Sequence, residues 1–240
     1  MNIILFTSLA ASNTLSIKDP RAHHIKKILH LEEGDTFLAG VINQNTGTAC
    51  ITRMDENMMT FTYEVDDIRT SLLYPVTLLV AQVRPISMRR ILRESVSLGV
   101  GSLILSTTDT AEKSYAQATL YTSGEYQKIL IDGAMQSGQS GVSSVQFSSS
   151  IQDAFSLLPK NAERIVLDNV WDGIPLSTLS FHQKQHVVLA IGGERGFSDR
   201  ERNLFASNDF RFATLGNRIL RTETACSAGI AVLLGRMGLL

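Results

Sequence analysis

The sequence predicts an α/β protein: a mostly parallel sheet with flanking helices, preceded by a small β-barrel. Three observations carry this reading. Residues 76–82 form a continuous apolar run, as expected for a strand covered on both faces, and Val187–Ile191 is a later strand candidate. From Pro75 onward such runs alternate with stretches of helical periodicity, the pattern of a parallel sheet with helices. The first seventy residues instead hold short alternating runs and tight turns, as in a small barrel.

In chain order, a short apolar start is followed by Asp19-Pro20, read as the N-cap and first position of a helix with Ala22, Ile25, Ile28 and Leu29 on one face. Gly34 marks a turn. Thr36–Val41, residues 48–53 and residues 59–65 are strand candidates, punctuated by Asn45-Thr46-Gly47 and Asp55-Glu56-Asn57. Domains are expected at 1–70 and 71–240, joined through residues 66–74. In the second, Ser87 is read as the cap of a helix carrying Met88, Ile91, Leu92 and Val96, which ends at Gly99. Residues 102–106 form the next strand, and residues 123–136 a helix with Tyr126, Ile129 and Leu130 on one face. The serine-rich tract 143–150 reads as a loop or edge segment, and residues 165–167, 187–191 and 210–215 as later strands.

Composition narrows the function. At 240 residues, 44% hydrophobic and 19% charged, the chain supports a real core and excludes a disordered or fibrous protein. The longest apolar stretches are far shorter than a membrane span, and the start carries no signal-peptide pattern, so a cytoplasmic location is expected. Cys50 and Cys226 suggest neither a disulfide framework nor a zinc site. His182 and His186 share helical spacing without a third ligand and read as surface residues; Trp171 reads as a packing residue. No metal is expected. A net charge of −1 leaves nucleic-acid binding to local patches. Two such patches exist: Arg21, His24, Lys26, Lys27 and His30, and then Arg84, Arg89, Arg90 and Arg93, the second without an intervening acid. Each basic residue also fits a solvated helix face.

Two loops, each after a strand and before a helix, are where chemistry is expected. The first is Ile191-Gly192-Gly193-Glu194-Arg195-Gly196-Phe197-Ser198, with Ser198 and Glu201 forming a capping-box pattern. The second is Leu215-Gly216-Asn217-Arg218-Ile219-Leu220-Arg221-Thr222-Glu223-Thr224-Ala225, with Glu223 in the first turn of an apolar helix. Neither matches a phosphate-binding glycine motif, and tight strand-to-helix turns would also fit.

The second loop resembles the L-G-x-R-I-L-R-T-E-T-A signature of RsmE-type 16S ribosomal RNA uridine-N3 methyltransferases, and the first resembles their I-G-P-E-G-G-F-S. Ala22-His23-His24-Ile25, residues 95–100, Tyr126-Gln127-Lys128-Ile129 and Gln136-Ser137-Gly138 resemble further family segments in matching order, over nearly the whole chain. The resemblance implies a PUA-like β-barrel RNA-binding domain followed by a SPOUT methyltransferase domain with a C-terminal trefoil knot. It also implies S-adenosyl-L-methionine as cofactor, a homodimer, and 16S ribosomal RNA or the small ribosomal subunit as partner. Leu167, Gly192, Gly193, Leu215, Gly216, Ile219 and Leu220 would form the cofactor pocket. Arg221, Glu194 and Glu223 would serve catalysis, and Arg21, His24, Lys27, Arg89 and Arg90 would contact RNA.

The reaction requires that the proton on uridine N3 be removed and the resulting charge stabilised. Glu194 fits a base or a turn carboxylate; Arg221 fits charge stabilisation or a structural salt bridge, to Glu223 or across the dimer. Gly193 stands where the family has proline, Arg195 where it has glycine, and Met135 and Gln139 where it has a carboxylate and an arginine. These departures fall on the substrate side, so a SAM-binding RNA-associated protein without activity, or one that methylates another RNA position, is the alternative.

Overall fold

The structure, a computed structural model, describes residues 2–67 and 73–240. The expected boundary between residues 70 and 71 lies outside the described residues. Two compact units form: Met1–Leu72 with Ala134–Val142, and Leu73–Gly133 with Ser143–Leu240.

The first unit holds β1 (Ile4–Phe6), β2 (Ser12–Ser16), α1 (Pro20–Lys27), β3 (Thr36–Val41), β4 (Asn45–Met54) and β5 (Met58–Asp67). They make a five-stranded curled sheet in the order β1-β3-β4-β5-β2, with β1 parallel to β3 and the remaining pairs antiparallel. Phe61 sits at its centre, with the rings of Phe6 and Phe37 at 5.6 and 5.5 Å. Asp19 caps α1, its carboxylate accepting the Arg21 amide at 2.8 Å. Two expectations are corrected here. The helix stops before Ile28, which is 59% exposed rather than on the buried face. Asn45-Thr46-Gly47 is strand, not turn, because Asn43 takes the left-handed conformation (φ 57°) open to asparagine and reverses the chain two residues earlier. Residues 134–142 belong to this unit through the Asn2 and Ile3 amides, which donate to the Met135 carbonyl, and the Asn43 amide, which donates to that of Ser140.

The second unit runs β6 (Tyr74–Ala81), α2 (Pro85–Ser97), β7 (Val100–Ser106), α3 (Thr119–Thr122), α4 (Glu125–Ser137), β8 (Ser144–Ser148), α5 (Ile151–Ala154), β9 (Glu163–Leu167), β10 (Ile174–Pro175), β11 (Val187–Ile191), α6 (Asp199–Ala206), β12 (Arg211–Thr214) and α7 (Thr222–Arg236). The last four residues of α4 count with the first unit. Its sheet has seven strands in the order β10-β12-β9-β11-β6-β7-β8, every pair parallel. The central strand β11 is buried at all five positions, as its unbroken apolar sequence requires. One face carries the aromatic cluster Phe197, Phe205 and Phe210. Ser87 does not cap α2: Pro85 holds its first turn, after Arg84. The 143–150 tract supplies β8, at the sheet edge. His182 and His186 precede β11 without forming a helix, and His186 is half-buried with Nε2 2.9 Å from Thr77 Oγ1. Trp171 packs on Phe212 at 5.0 Å. Among the described residues no helix is long and apolar enough to cross a membrane, and no three His, Cys, Asp or Glu side chains gather as a metal site.

Candidate active site

The adjacent strands β12, β9 and β11 run in the same direction and release three loops at one edge of the sheet. Residues 168–170, 192–197, 215–216 and 218–220 from these loops enclose a cavity of about 320 Å³, at the small end of the range for ligand sites. Its place at the carboxyl ends of parallel strands is where open α/β sheets bind ligands.

The loop after β11 is a tight turn, the Gly196 amide donating to the Gly193 carbonyl at 3.0 Å. Gly196 takes φ 66°, so Arg195 needs no conformation reserved for glycine, and its side chain is exposed. Gly192 is required for a different reason. A Cβ there would lie 3.0 Å from the Gly196 backbone and 3.2 Å from the Phe197 nitrogen, neither of which can move without opening the turn. The turn leads into α6 through a complete capping box: Ser198 Oγ accepts the Glu201 amide, and the Glu201 carboxylate accepts the Ser198 amide.

Residues that follow β7 clamp this loop from the side. Thr110 donates its hydroxyl to the Gly196 carbonyl at 2.7 Å, and the Asp109 amide donates to Glu201. The Asp109 carboxylate accepts from Arg200 and from the Ser198 hydroxyl, bonds that hold it below the usual carboxylate range. After β12, Thr214 Oγ1 accepts the Gly216 amide and donates to the Gly216 carbonyl. Gly216 itself takes φ 104°.

The floor is built by two residues the sequence analysis missed. Asp168, directly after β9, accepts the Val170 and Trp171 amides at 2.8 and 2.9 Å and pairs with Arg202 of α6 at 3.1 Å. Their side chains are only 2% and 6% exposed. An acid at a strand's carboxyl end was a readable signal; its partner, thirty-four residues away, was not.

All seven predicted cofactor-pocket positions, Leu167, Gly192, Gly193, Leu215, Gly216, Ile219 and Leu220, line this cavity, as does Glu194. Arg221 and Glu223 do not. Arg221 is exposed at the N-cap of α7, between the lining residues Leu220 and Thr222. Glu223 lies 4.0 Å from the Arg90 guanidinium rather than against Arg221. Glu194 Oε1 accepts the Arg84 amide at 3.2 Å.

The candidate RNA contacts divide. Arg21 grips Asp19 through two bonds and stacks 4.6 Å over Phe6, and Arg89 grips Glu125 at 2.7 and 2.9 Å, so both guanidiniums already have carboxylate partners. His24 has a buried Nε2 without a partner among the described residues, and burial pushes its pKa down. Lys27 is exposed. Met135 and Gln139 fall in the first unit and do not line the cavity.

Comparison with known proteins gives a consistent result. A family model described as an RNA methyltransferase domain matches residues 70–234. Ribosomal RNA small subunit methyltransferase E of Treponema pallidum is 34% identical, over 98% of this chain and 91% of that protein. Ribosomal RNA small subunit methyltransferase E 1 of Borreliella burgdorferi is 28% identical, over 95% of each. The fold is shared with a crystal structure of ribosomal RNA small subunit methyltransferase E from Neisseria gonorrhoeae bound to S-adenosyl methionine, with a TM-score of 0.82, 22% identity and coverage of 98% and 97%.

Proposed function

Because the chain belongs to the ribosomal RNA small subunit methyltransferase E family, we propose that it transfers a methyl group from S-adenosylmethionine to N3 of a uridine in 16S ribosomal RNA. The observation that carries this reading is the cavity between the two glycine loops. Its size, the tight turn that Gly192 permits and the fixed turn at Gly216 suit a nucleoside held by backbone groups between the apolar walls of Leu167, Leu215, Ile219 and Leu220. When bound, S-adenosylmethionine supplies an electrophilic methyl group on a positively charged sulfur.

The rest falls to this chain's own residues. The N3 proton of uridine must leave before that nitrogen becomes a good nucleophile. Glu194 stands at the cavity wall with Oε1 taken by Arg84, and we assign the proton to its Oε2. Arg221, at the mouth, is assigned to the negative charge that spreads onto the uracil oxygens as the proton leaves. Glu223, in the first turn of α7, stands beside Arg90. Among the RNA candidates, Lys27 is the group proposed to meet phosphates directly, whereas Arg21, Arg89 and Arg90, paired with Asp19, Glu125 and Glu223, would exchange an existing partner to do so, and His24 would have to emerge from its buried site. We further propose the trefoil-threaded SPOUT arrangement of the C-terminal chain, the domains 1–70 and 71–240, a homodimer and a cytoplasmic location; light scattering tests the dimer.

The decisive experiment follows labelled methyl transfer from S-adenosylmethionine to small-subunit RNA from a strain lacking the modification. One methyl on uridine N3 is expected. A product at another base selects a redirected enzyme, and calorimetric binding without transfer selects a SAM-binding RNA-associated protein. Gly216→Val supplies a sharper check on the pocket. No atom lies within 4 Å of a Cβ at Gly216, but φ 104° is one that a β-branched residue rarely adopts. Refolding of the turn at a cost of about 1–3 kcal/mol is expected to weaken S-adenosylmethionine at least ~5-fold by calorimetry. Unchanged affinity would remove Gly216 from the pocket.

A further inference from the structure

A second cleft, of about 470 Å³, opens on the same edge of the parallel sheet, beyond the ends of β6, β7 and β8. Gln82, Thr107, Tyr121, Tyr126, Phe147 and Ser148 are among the residues that line it. The strand ends are fixed to one another: the Gln82 amide donates to the Ser106 carbonyl at 2.8 Å, and the Thr107 amide to that of Ser148 at 3.1 Å. Two tyrosines fix the ring of Phe147 edge-to-face, Tyr121 at 5.4 Å and Tyr126 at 5.5 Å, yet 43% of Phe147 remains exposed. A held but accessible aromatic ring is a stacking platform.

The polar groups point the same way. The Tyr121 hydroxyl and Ser148 Oγ are buried and have no hydrogen-bond partner among the described residues. Desolvated hydroxyls of this kind destabilise a fold unless something else satisfies them. Among the described residues the lining carries no charged side chain, which suits a neutral planar group better than a phosphate. The cleft is also close to the proposed methyl-donor pocket, because a Cβ at Gly193 would touch Ala81 at 3.5 Å and Val83 at 3.7 Å, the two neighbours of Gln82.

We infer that this cleft is a nucleobase subsite, stacking an RNA base on Phe147 and hydrogen-bonding its edge through Tyr121 and Ser148, one strand away from the methyl-transfer site. The inference rests on the transferase reading above and extends it to how the RNA is held.

Tyr121→Phe tests it, because the variant keeps the ring contact and deletes a hydroxyl that has no partner among the described residues. Thermal stability and S-adenosylmethionine affinity are expected to hold or rise. Calorimetric binding of an oligouridylate pentamer is expected to weaken, and KM for small-subunit RNA to rise about 5–30-fold with kcat little changed, the scale of one buried hydrogen bond. Ser148→Ala should act in the same direction. Equal pentamer binding by wild type and both variants, or none by wild type, overturns the subsite. Wild-type methyl transfer with KM unmoved in Tyr121→Phe overturns the subsite while leaving the transferase reading intact. Pentamer binding that Tyr121→Phe weakens, in a chain that transfers no methyl, upholds the subsite and overturns the transferase reading instead.

Discussion

Arg202→Ala is expected to cost about 3–5 kcal/mol of folding stability, a fall in the thermal midpoint of about 6–20 °C for a chain of this size. The reason is what remains after the guanidinium is gone. The Asp168 side chain is 2% exposed and its pairing with Arg202 is the principal compensation for a buried charge, with two backbone amides as its other donors. Asp199, the other partner of Arg202, is on the surface and loses little. The Asp168→Leu, Arg202→Met double variant is expected to recover part of the loss, because an apolar pair removes both desolvation penalties at once; it will not recover all, since the Val170 and Trp171 amides also lose their acceptor. Arg200→Ala is the control. Its pair with Asp109 is a two-nitrogen fork but stands half in water, and should cost about 0–1 kcal/mol. Urea or thermal unfolding of the four proteins checks the series. A loss below about 1 kcal/mol for Arg202→Ala would show that Asp168 is not held as a buried charge. Because Asp168 and Arg202 both line the cavity, S-adenosylmethionine binding should weaken in parallel.

That pair also marks how far the sequence could be read. Strands β6 and β11 were legible because a strand covered on both faces writes itself as a continuous apolar run, and the capping box at Ser198 was legible because its partners are three residues apart. The two glycine loops could be placed at strand ends for the same local reasons. Elements that depend on distant partners could not. β2 reads Ser-Asn-Thr-Leu-Ser, with no strand signal of its own, and exists because β5 pairs with it. Asn45-Thr46-Gly47 has turn composition but lies opposite β3, and the neighbouring Asn43 makes the turn instead. Residues 134–142 join the first unit through bonds to Asn2, Ile3 and Asn43, which no periodicity announces. The clamp from Asp109 and Thr110 onto the glycine turn joins residues about ninety positions apart, so the support of the site was hidden even where its rim was plain.

Arg221→Ala is expected to lower kcat by about 10²–10³-fold, the effect of removing one group that stabilises a developing oxyanion, while leaving the fold and the cofactor pocket as they are. The separation between the two effects follows from its surroundings. Arg221 is exposed, forms no ion pair among the described residues and makes no side-chain cap on α7, so its loss should change stability by no more than about 0.5 kcal/mol. It does not line the cavity, so S-adenosylmethionine affinity should be unchanged. Glu223, its structural partner candidate within the chain, faces Arg90 instead. Arg221→Lys should retain the charge but lose the planar fork that addresses two oxygens together, giving a rate between wild type and the alanine variant. Single-turnover transfer to small-subunit RNA, with the thermal midpoint and light-scattering mass measured on the same samples, distinguishes the outcomes. A slow but folded protein of unchanged mass places Arg221 at the reacting base, whereas wild-type turnover would leave Glu194 as the sole chemical group proposed at the cavity.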